Sequence, residues 1–113
     1  MIGKLDGAGY VVIWEFHVRP RMSRRFEAAY GPKGDWARLF GRDRHYRGTL
    51  LTSSLRDRRT YLTLDFWSSK HAYESFRKRY AKEYKAIDAK CERLTESERE
   101  IGRYISATGP GSL

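Results

Sequence analysis

The chain has 113 residues, with 23 lysines and arginines against 14 acidic residues, which gives a formal net charge of +9. This length fits one compact domain, and an aromatic content of 14% argues against a disordered chain. The longest apolar run, residues 11–14, is far shorter than the roughly 20 residues of a membrane span, and the single cysteine, Cys91, excludes an internal disulfide. We therefore expect a cytoplasmic domain with no membrane partner.

The N-terminal part predicts a leader and one strand. Residues 1–9 contain glycine and no apolar segment, so we expect a flexible leader without a secretory signal. Residues 10–18 are β-branched and aromatic, which predicts a strand. Pro20 closes it, because proline cannot donate to a ladder. Alternation gives the strand two different faces, one with Tyr10, Val12, Trp14, Phe16 and Val18, the other with Val11, Ile13, Glu15 and His17.

Two short helices are predicted next. Phe26, Ala29 and Tyr30 recur at helical spacing and predict a helix over residues 22–30, with Ser23 as a candidate cap. A Gly-Pro-Lys-Gly segment ends it. Asp35 is expected to cap the second helix. The apolar face of that helix consists of Trp36, Leu39 and Phe40.

Two strands then form a predicted hairpin. Residues 46–55 and 60–67 have strand character and are separated by the charged turn Arg-Asp-Arg-Arg. The second of these strands alternates between two sets, Leu62, Leu64 and Phe66 against Tyr61, Thr63, Asp65 and Trp67.

The C-terminal part predicts one long helix and an ambiguous segment. Apolar residues recur at steps of three and four, which predicts a helix over residues 70–93 with room for a bend, capped by Ser68 or Ser69. Thr95 and Glu98 match a capping box, so residues 98–106 fit either a helix or an edge strand. Residues 107–113 predict a flexible tail.

This element order predicts a ferredoxin-like α+β fold over residues 10–106. The split βαβ pattern forms an antiparallel four-stranded sheet with both helices on one face. The other sheet face is then bare, although bulky residues occupy both faces of the first strand. A bare and partly apolar face is typical of a partner or ligand surface.

Four stretches have a characteristic order and spacing across residues 10–106. They are Val18-Arg19-Pro20 with Phe26, the segment 30–40, the strand end 65–69, and Ala72-Tyr73 with Phe76. Through them the chain resembles the antibiotic biosynthesis monooxygenase-like proteins of the dimeric α+β barrel superfamily. The resemblance implies a homodimer whose bare sheet faces meet, and a pocket between sheet and helices. Some members oxidise anthrones or quinols with molecular oxygen and no metal, flavin or haem, others degrade haem, and many have no known activity.

The resemblance also implies site residues. Trp67 and Tyr73 fall at the Trp and Tyr of the cofactor-free oxygenases, while Thr63 stands where those proteins carry an Asn that contacts the substrate carbonyl. Haem degradation in the family uses an Asn and a helical His, and this chain has no Asn and no His between Phe76 and Leu94. We therefore expect no cofactor.

The site residues have functional and structural interpretations. Trp67 would form a wall for a flat aromatic substrate and Tyr73 would bond its oxygen, with Trp36, Leu39 and Phe40 closing the pocket. The alternative for Trp67 and Tyr73 is plain core packing. Glu15 and His17 share one face of the first strand, as Thr63 and Asp65 do on the third, so the four could cluster as a general base. The alternative is a polar plug in the dimer interface.

The remaining alternatives concern metals and nucleic acid. The histidines lack ligand-like spacing, so no metal is predicted. The arginines are spread along the chain, which is typical of a solvated surface. The RNA-recognition module has the same element order, but residues 60–67 do not fit its signature and Asp65 would repel phosphate. The sequence thus favours binding or oxidation of a small aromatic or quinone-like molecule. A non-catalytic dimeric binding or association module, and RNA binding by the open sheet face, remain alternatives.

Overall fold

The computed structural model describes residues 7–107. Most of the expected leader (residues 1–6) and of the expected tail (residues 108–113) therefore lies outside the described residues. The elements in chain order are β1 Tyr10–Val18, α1 Ser23–Tyr30, α2 Asp35–Phe40, β2 Tyr46–Ser53, β3 Thr60–Trp67, α3 Lys70–Arg79, α4 Ala81–Cys91 and β4 Thr95–Ile105, with a 3₁₀ turn at Glu92–Leu94 between α4 and β4.

The four strands form one antiparallel sheet in the order β2-β3-β1-β4. This arrangement confirms the predicted ferredoxin-like α+β fold. It also resolves the C-terminal ambiguity in favour of a strand, since β4 pairs with β1 from Tyr10 opposite Ile105 to Val18 opposite Thr95. The local capping signal at Thr95 is overridden, because pairing along the length of β1 stabilises the extended chain more than a short helix would.

The helix ends differ from the sequence prediction in three places. The predicted long helix is two helices, since Tyr80 leaves helical geometry between α3 and α4. Ser69 caps α3 as expected, its hydroxyl accepting from the Ala72 amide at 3.1 Å. The expected caps Ser23 and Asp35 are instead the first residues of α1 and α2. The Asp35 carboxylate forms an ion pair with Lys90 at 2.9 Å, which links α2 to α4.

One face of the sheet packs on the helices and contains the core. Alternate residues of β1 from Tyr10 to Val18 face this core and are buried except for the partly buried Trp14, and the inward rings of α1 and α3, Phe26 and Phe76, are fully buried. Trp67 at the end of β3 is also fully buried. Burial of these large rings supplies most of the hydrophobic stabilisation of a domain this small.

In the described part of the chain, no helix covers the opposite face of the sheet. Its register brings together apolar side chains of all four strands: Val11, Ile13, Leu50, Leu62, Leu64, Phe66 and Tyr104. Leu50 is 44% exposed and Tyr104 is 50% exposed. The structure thus has the bare, partly apolar face that the element order predicted. Among residues 7–107, no helix has the length and apolar character needed to cross a membrane.

Candidate active site

A cavity of about 210 Å³ lies between the sheet and the helices. Its wall is mainly aromatic, made of Trp14, Phe16, Tyr30, Trp36, Phe40 and Tyr84. The polar groups that line it are Thr63, Asp65, Arg77, Asp88 and Glu98. Flat apolar walls with a few convergent polar groups are typical of a pocket for a small aromatic ligand.

The pleat of β3 places Thr63 and Asp65 in this cavity. Residues two apart in a strand share a face, and Thr63 lies opposite Trp14 of β1, while Asp65 lies opposite Val12. Thr63 is only 3% exposed. The hydroxyl and the carboxyl therefore lie side by side on the inward face of the sheet, beneath the aromatic wall.

Asp65 is held by a hydrogen bond from the neighbouring strand. The Thr49 hydroxyl of β2 donates to Asp65 Oδ1 at 2.6 Å, and the Tyr46 hydroxyl is hydrogen-bonded to Thr49 in turn. Burial raises the pKa of Asp65 to about 7, and the bond from Thr49 opposes that rise. A carboxyl that titrates near neutral pH can both accept and return a proton, as a general base requires.

Arg77 of α3 supplies the positive group of the cavity. Its guanidinium lies 3.8 Å from the centroid of the Tyr84 ring and donates to the Tyr73 hydroxyl at 3.0 Å. A guanidinium that stacks on one tyrosine ring and donates to the hydroxyl of another tyrosine has little conformational freedom. Arg77 can therefore offset negative charge that develops on a bound molecule.

Trp67 and Tyr73 lie behind the cavity wall. The Trp67 ring packs against Phe40, which lines the cavity, at a centroid distance of 5.5 Å, and against Phe76 at 4.9 Å. Its Nε1 is buried with no hydrogen-bond partner among residues 7–107. The Tyr73 ring packs on Trp67, and its hydroxyl accepts from Arg77. In this structure, the two residues support the wall and position Arg77.

The expected cluster of Glu15, His17, Thr63 and Asp65 does not form, so that prediction is wrong. Glu15 and His17 lie on the open face of the sheet, where the Glu15 carboxylate accepts from Arg99 at 3.0 Å and His17 Nδ1 lies 3.0 Å from the Thr60 hydroxyl. The reason is the register: odd residues of β1 between 11 and 17 and even residues of β3 share one face, so neighbouring strands do not bring the two pairs together.

Of the three residues predicted to close the pocket, two line the cavity and one does not. Trp36 and Phe40 of α2 line the cavity, while Leu39 is buried beside them and is not part of its wall. Sequence reasoning missed the other lining residues of the cavity, among them Arg77 and Tyr84, and the hydrogen-bonded pair Tyr46 and Thr49 that holds Asp65. None carries a motif: the pairing of β2 with β3 brings Thr49 to Asp65, and the packing of α3 and α4 brings Arg77 and Tyr84 to the cavity. Within the described residues, no group of three or more His, Cys, Asp or Glu side chains could hold a metal ion.

Comparisons with known proteins show similarity at the level of the fold. No protein-family model matches the sequence, and no curated protein matches it significantly. Among solved structures, a mutant form of the cofactor-independent oxygenase SnoaB from Streptomyces nogalater aligns with a TM-score of 0.72 at 13% identity, covering 88% of this chain and 94% of that chain. A structure from Bordetella bronchiseptica, named provisionally as an antibiotic biosynthesis monooxygenase, aligns with a TM-score of 0.71 at 17% identity, covering 88% and 98%. A protein from Deinococcus radiodurans with the same provisional name aligns at 0.68 and 9% identity, covering 87% and 92%.

Proposed function

The chain has the fold of the antibiotic biosynthesis monooxygenase-like proteins, and we propose that it shares their type of chemistry. In this proposal it binds a small, flat aromatic or quinone-like molecule in the cavity and oxidises it with molecular oxygen, without a cofactor. The observation that carries the proposal is Asp65, a carboxyl with a pKa of about 7 inside an aromatic-walled cavity, beside Thr63 and Arg77.

The proposed reaction begins with proton removal. The Asp65 carboxylate accepts a proton from an activated CH₂ of an anthrone-like substrate, and the electron pair remains on the aromatic system as an enolate. The Thr63 hydroxyl can donate one hydrogen bond to the enolate oxygen, where an amide would offer two donors. Arg77 offsets the negative charge, which a water-poor cavity would otherwise destabilise.

Molecular oxygen is the oxidant. The enolate carbon transfers electrons to oxygen and forms a C–O bond, which gives a peroxide that takes a proton back from Asp65. Loss of water from this peroxide leaves a carbonyl, so one CH₂ and one O₂ give one C=O and one H₂O. Asp65 thus moves the same proton twice, which requires a pKa close to the working pH.

Thr49 and Tyr46 act as positioning residues in this scheme. While the carboxylate is ionised, Thr49 gives its single hydroxyl proton to Asp65, so Tyr46 must be the donor to Thr49. This order of donors stabilises the ionised carboxylate and fixes its orientation. Trp67 and Tyr73 contribute through Phe40 and Arg77, which they support from behind.

We also propose that the open sheet face is a homodimer interface, as the resemblance implied. The support is the band of apolar side chains across all four strands, since exposed apolar surface of this kind is typical of a protein–protein contact. The cytoplasm remains the proposed location, because Cys91 is a buried free thiol, which a reducing compartment preserves.

Oxygen consumption with anthrone as the probe tests the proposed activity. The wild-type chain should consume one oxygen molecule per molecule of anthraquinone formed, and Asp65→Asn should abolish this while still folding. Glu83→Gln, on the exposed surface of α4, is the matched control and should keep the wild-type rate. Anthrone binding without turnover in the wild type would replace the oxygenase with a non-catalytic binding module.

A further inference from the structure

A second groove, lined by residues other than those of the cavity, concentrates positive charge. It has a volume of about 490 Å³ and runs between the loop after α2 and one side of α3. Its lining includes Arg42, Arg44, His45, His71 and Arg79. These residues are scattered along the chain, and the spread predicted only a solvated surface, but the fold brings them to one place.

Among the described residues, the one acidic group in the groove lining, Asp43, offsets only part of this charge, since three arginines line the same groove. Asp43 is only 6% exposed, and its Oδ1 accepts from the backbone amide of His45 at 2.8 Å, so it stabilises its own loop. Within residues 7–107, no carboxylate lies within ion-pair distance of Arg42, Arg44 or Arg79. The three arginines thus bring like charges to one groove without an ion-paired carboxylate in this part of the chain, and a bound anion would offset those charges.

The hydrogen-bond donors of the groove suit phosphate. Arginine presents a planar fork that fits phosphate oxygens. Ser75 adds a hydroxyl-bearing residue to the lining, and Ser69 and His71 place the N-terminal end of α3 beside the groove. Phosphate is commonly held at a helix N-terminus, where backbone amides point outward and the helix dipole favours negative charge. Here the arginines add charge that the helix end alone lacks.

The length of the groove indicates more than one phosphate. His71, Ser75 and Arg79 follow one another at steps of four and so share one face of α3, spanning about 12 Å at the rise of an α-helix. A single phosphate cannot contact both ends of such a groove. The loop arginines, Arg42 and Arg44, form the other wall, and Arg42 is held near the Tyr80 ring at 5.9 Å.

We propose that this groove binds a phosphorylated small molecule with at least two phosphate groups. The site is separate from the aromatic cavity: the two share no lining residue. The proposal does not depend on the oxygenase chemistry, and a separate binding experiment tests it.

Calorimetric titration with inorganic pyrophosphate and with ADP at physiological salt tests the site. The wild-type chain should bind both probes, and Arg44→Ala with Arg79→Ala should weaken binding by about tenfold for each arginine removed. The matched control removes the same charge from α1, Arg24→Ala with Arg25→Ala, and should change affinity less than about twofold. An equal loss in both variants would show general charge attraction, and no binding by the wild type would overturn the site.

A second measurement keeps the test valid if a variant folds poorly. Amide chemical shifts of the wild-type chain, recorded during the pyrophosphate titration, should change most at Ser69, His71 and Ala72. Changes centred on the open sheet face would overturn the proposal. A single-stranded oligonucleotide that shifts these same amides while pyrophosphate does not would identify a nucleic-acid surface and equally overturn it.

Discussion

Removing the Thr49 hydroxyl should move the pH dependence of the proposed reaction. Thr49→Val deletes the 2.6 Å bond to Asp65 Oδ1 and keeps the side-chain shape. A hydrogen bond to a charged group contributes about 1.5–3 kcal/mol, and about 1.4 kcal/mol corresponds to a tenfold change in ionisation. The midpoint of the rising limb, expected near the Asp65 pKa of about 7, should therefore move upward by about one to two pH units.

The higher pKa of Asp65 in the Thr49→Val variant should also lower the rate of oxygen consumption at neutral pH. At pH 7 about half of Asp65 is ionised in the wild type, and the variant retains about a tenth to a hundredth, so the rate should fall about fivefold to fiftyfold. The rate should recover at high pH, and Thr49→Ser should restore the wild-type profile. Thr52→Val is the matched control, because that hydroxyl lies on the open side of the same strand and bonds a backbone carbonyl. Superimposable wild-type and Thr49→Val profiles of oxygen consumption would refute the reasoning.

Three further predictions concern stability and assembly. Folding raises the pKa of Asp65 from its usual 3.8 to about 7, so the native state binds the proton more tightly than the unfolded state does. The free energy of unfolding should therefore fall as the pH rises from about 4 to 7. Asp65→Asn should remove this loss, and urea unfolding should show a gain of up to about 4 kcal/mol in the free energy of unfolding at pH 8 and little gain at pH 4. Trp67→Phe should lower the free energy of unfolding by about 1–3 kcal/mol. The pH midpoint of oxygen consumption should stay unchanged, and a change in that midpoint would place Trp67 in contact with substrate. Light scattering should show a dimer at low and high salt, and Leu64→Lys on the open face should give a monomer; a wild-type monomer at both salts would exclude that interface.

Much of the fold could be predicted from the sequence because its local signals agree with the tertiary structure. Residues 10–18 are β-branched and aromatic and residues 60–67 alternate, and the two predicted strands match β1 and β3 residue for residue. The sequence leaves room for a bend in the long helix, but its position at Tyr80 could not be predicted, because the apolar spacing continues through that residue. The strand character of β4 depends on pairing with β1, which no window of the C-terminal sequence contains.

The candidate site was predictable only in part. Thr63 and Asp65 were identified, but alternation alone does not give the register of β1 against β3, and that register separates Asp65 from Glu15 and His17. The contribution of Thr49 depends on the register of β2 against β3, which the charged turn between them does not fix. Arg77 resembled an ordinary surface residue in the sequence, because its role depends on two rings, Tyr73 and Tyr84, that meet it only in the folded chain.

The most direct test of the account is the titration of the Asp65 carboxyl itself. Carbon-detected NMR of the aspartate side chains, with Asp65→Asn used to assign the signal, measures this without any substrate. The account predicts a midpoint near pH 7 that moves when a flat aromatic carbonyl compound such as anthraquinone fills the cavity. A midpoint near the usual aspartate value of about 3.9, unaffected by the aromatic compound, would contradict both the buried base and the active site built around it.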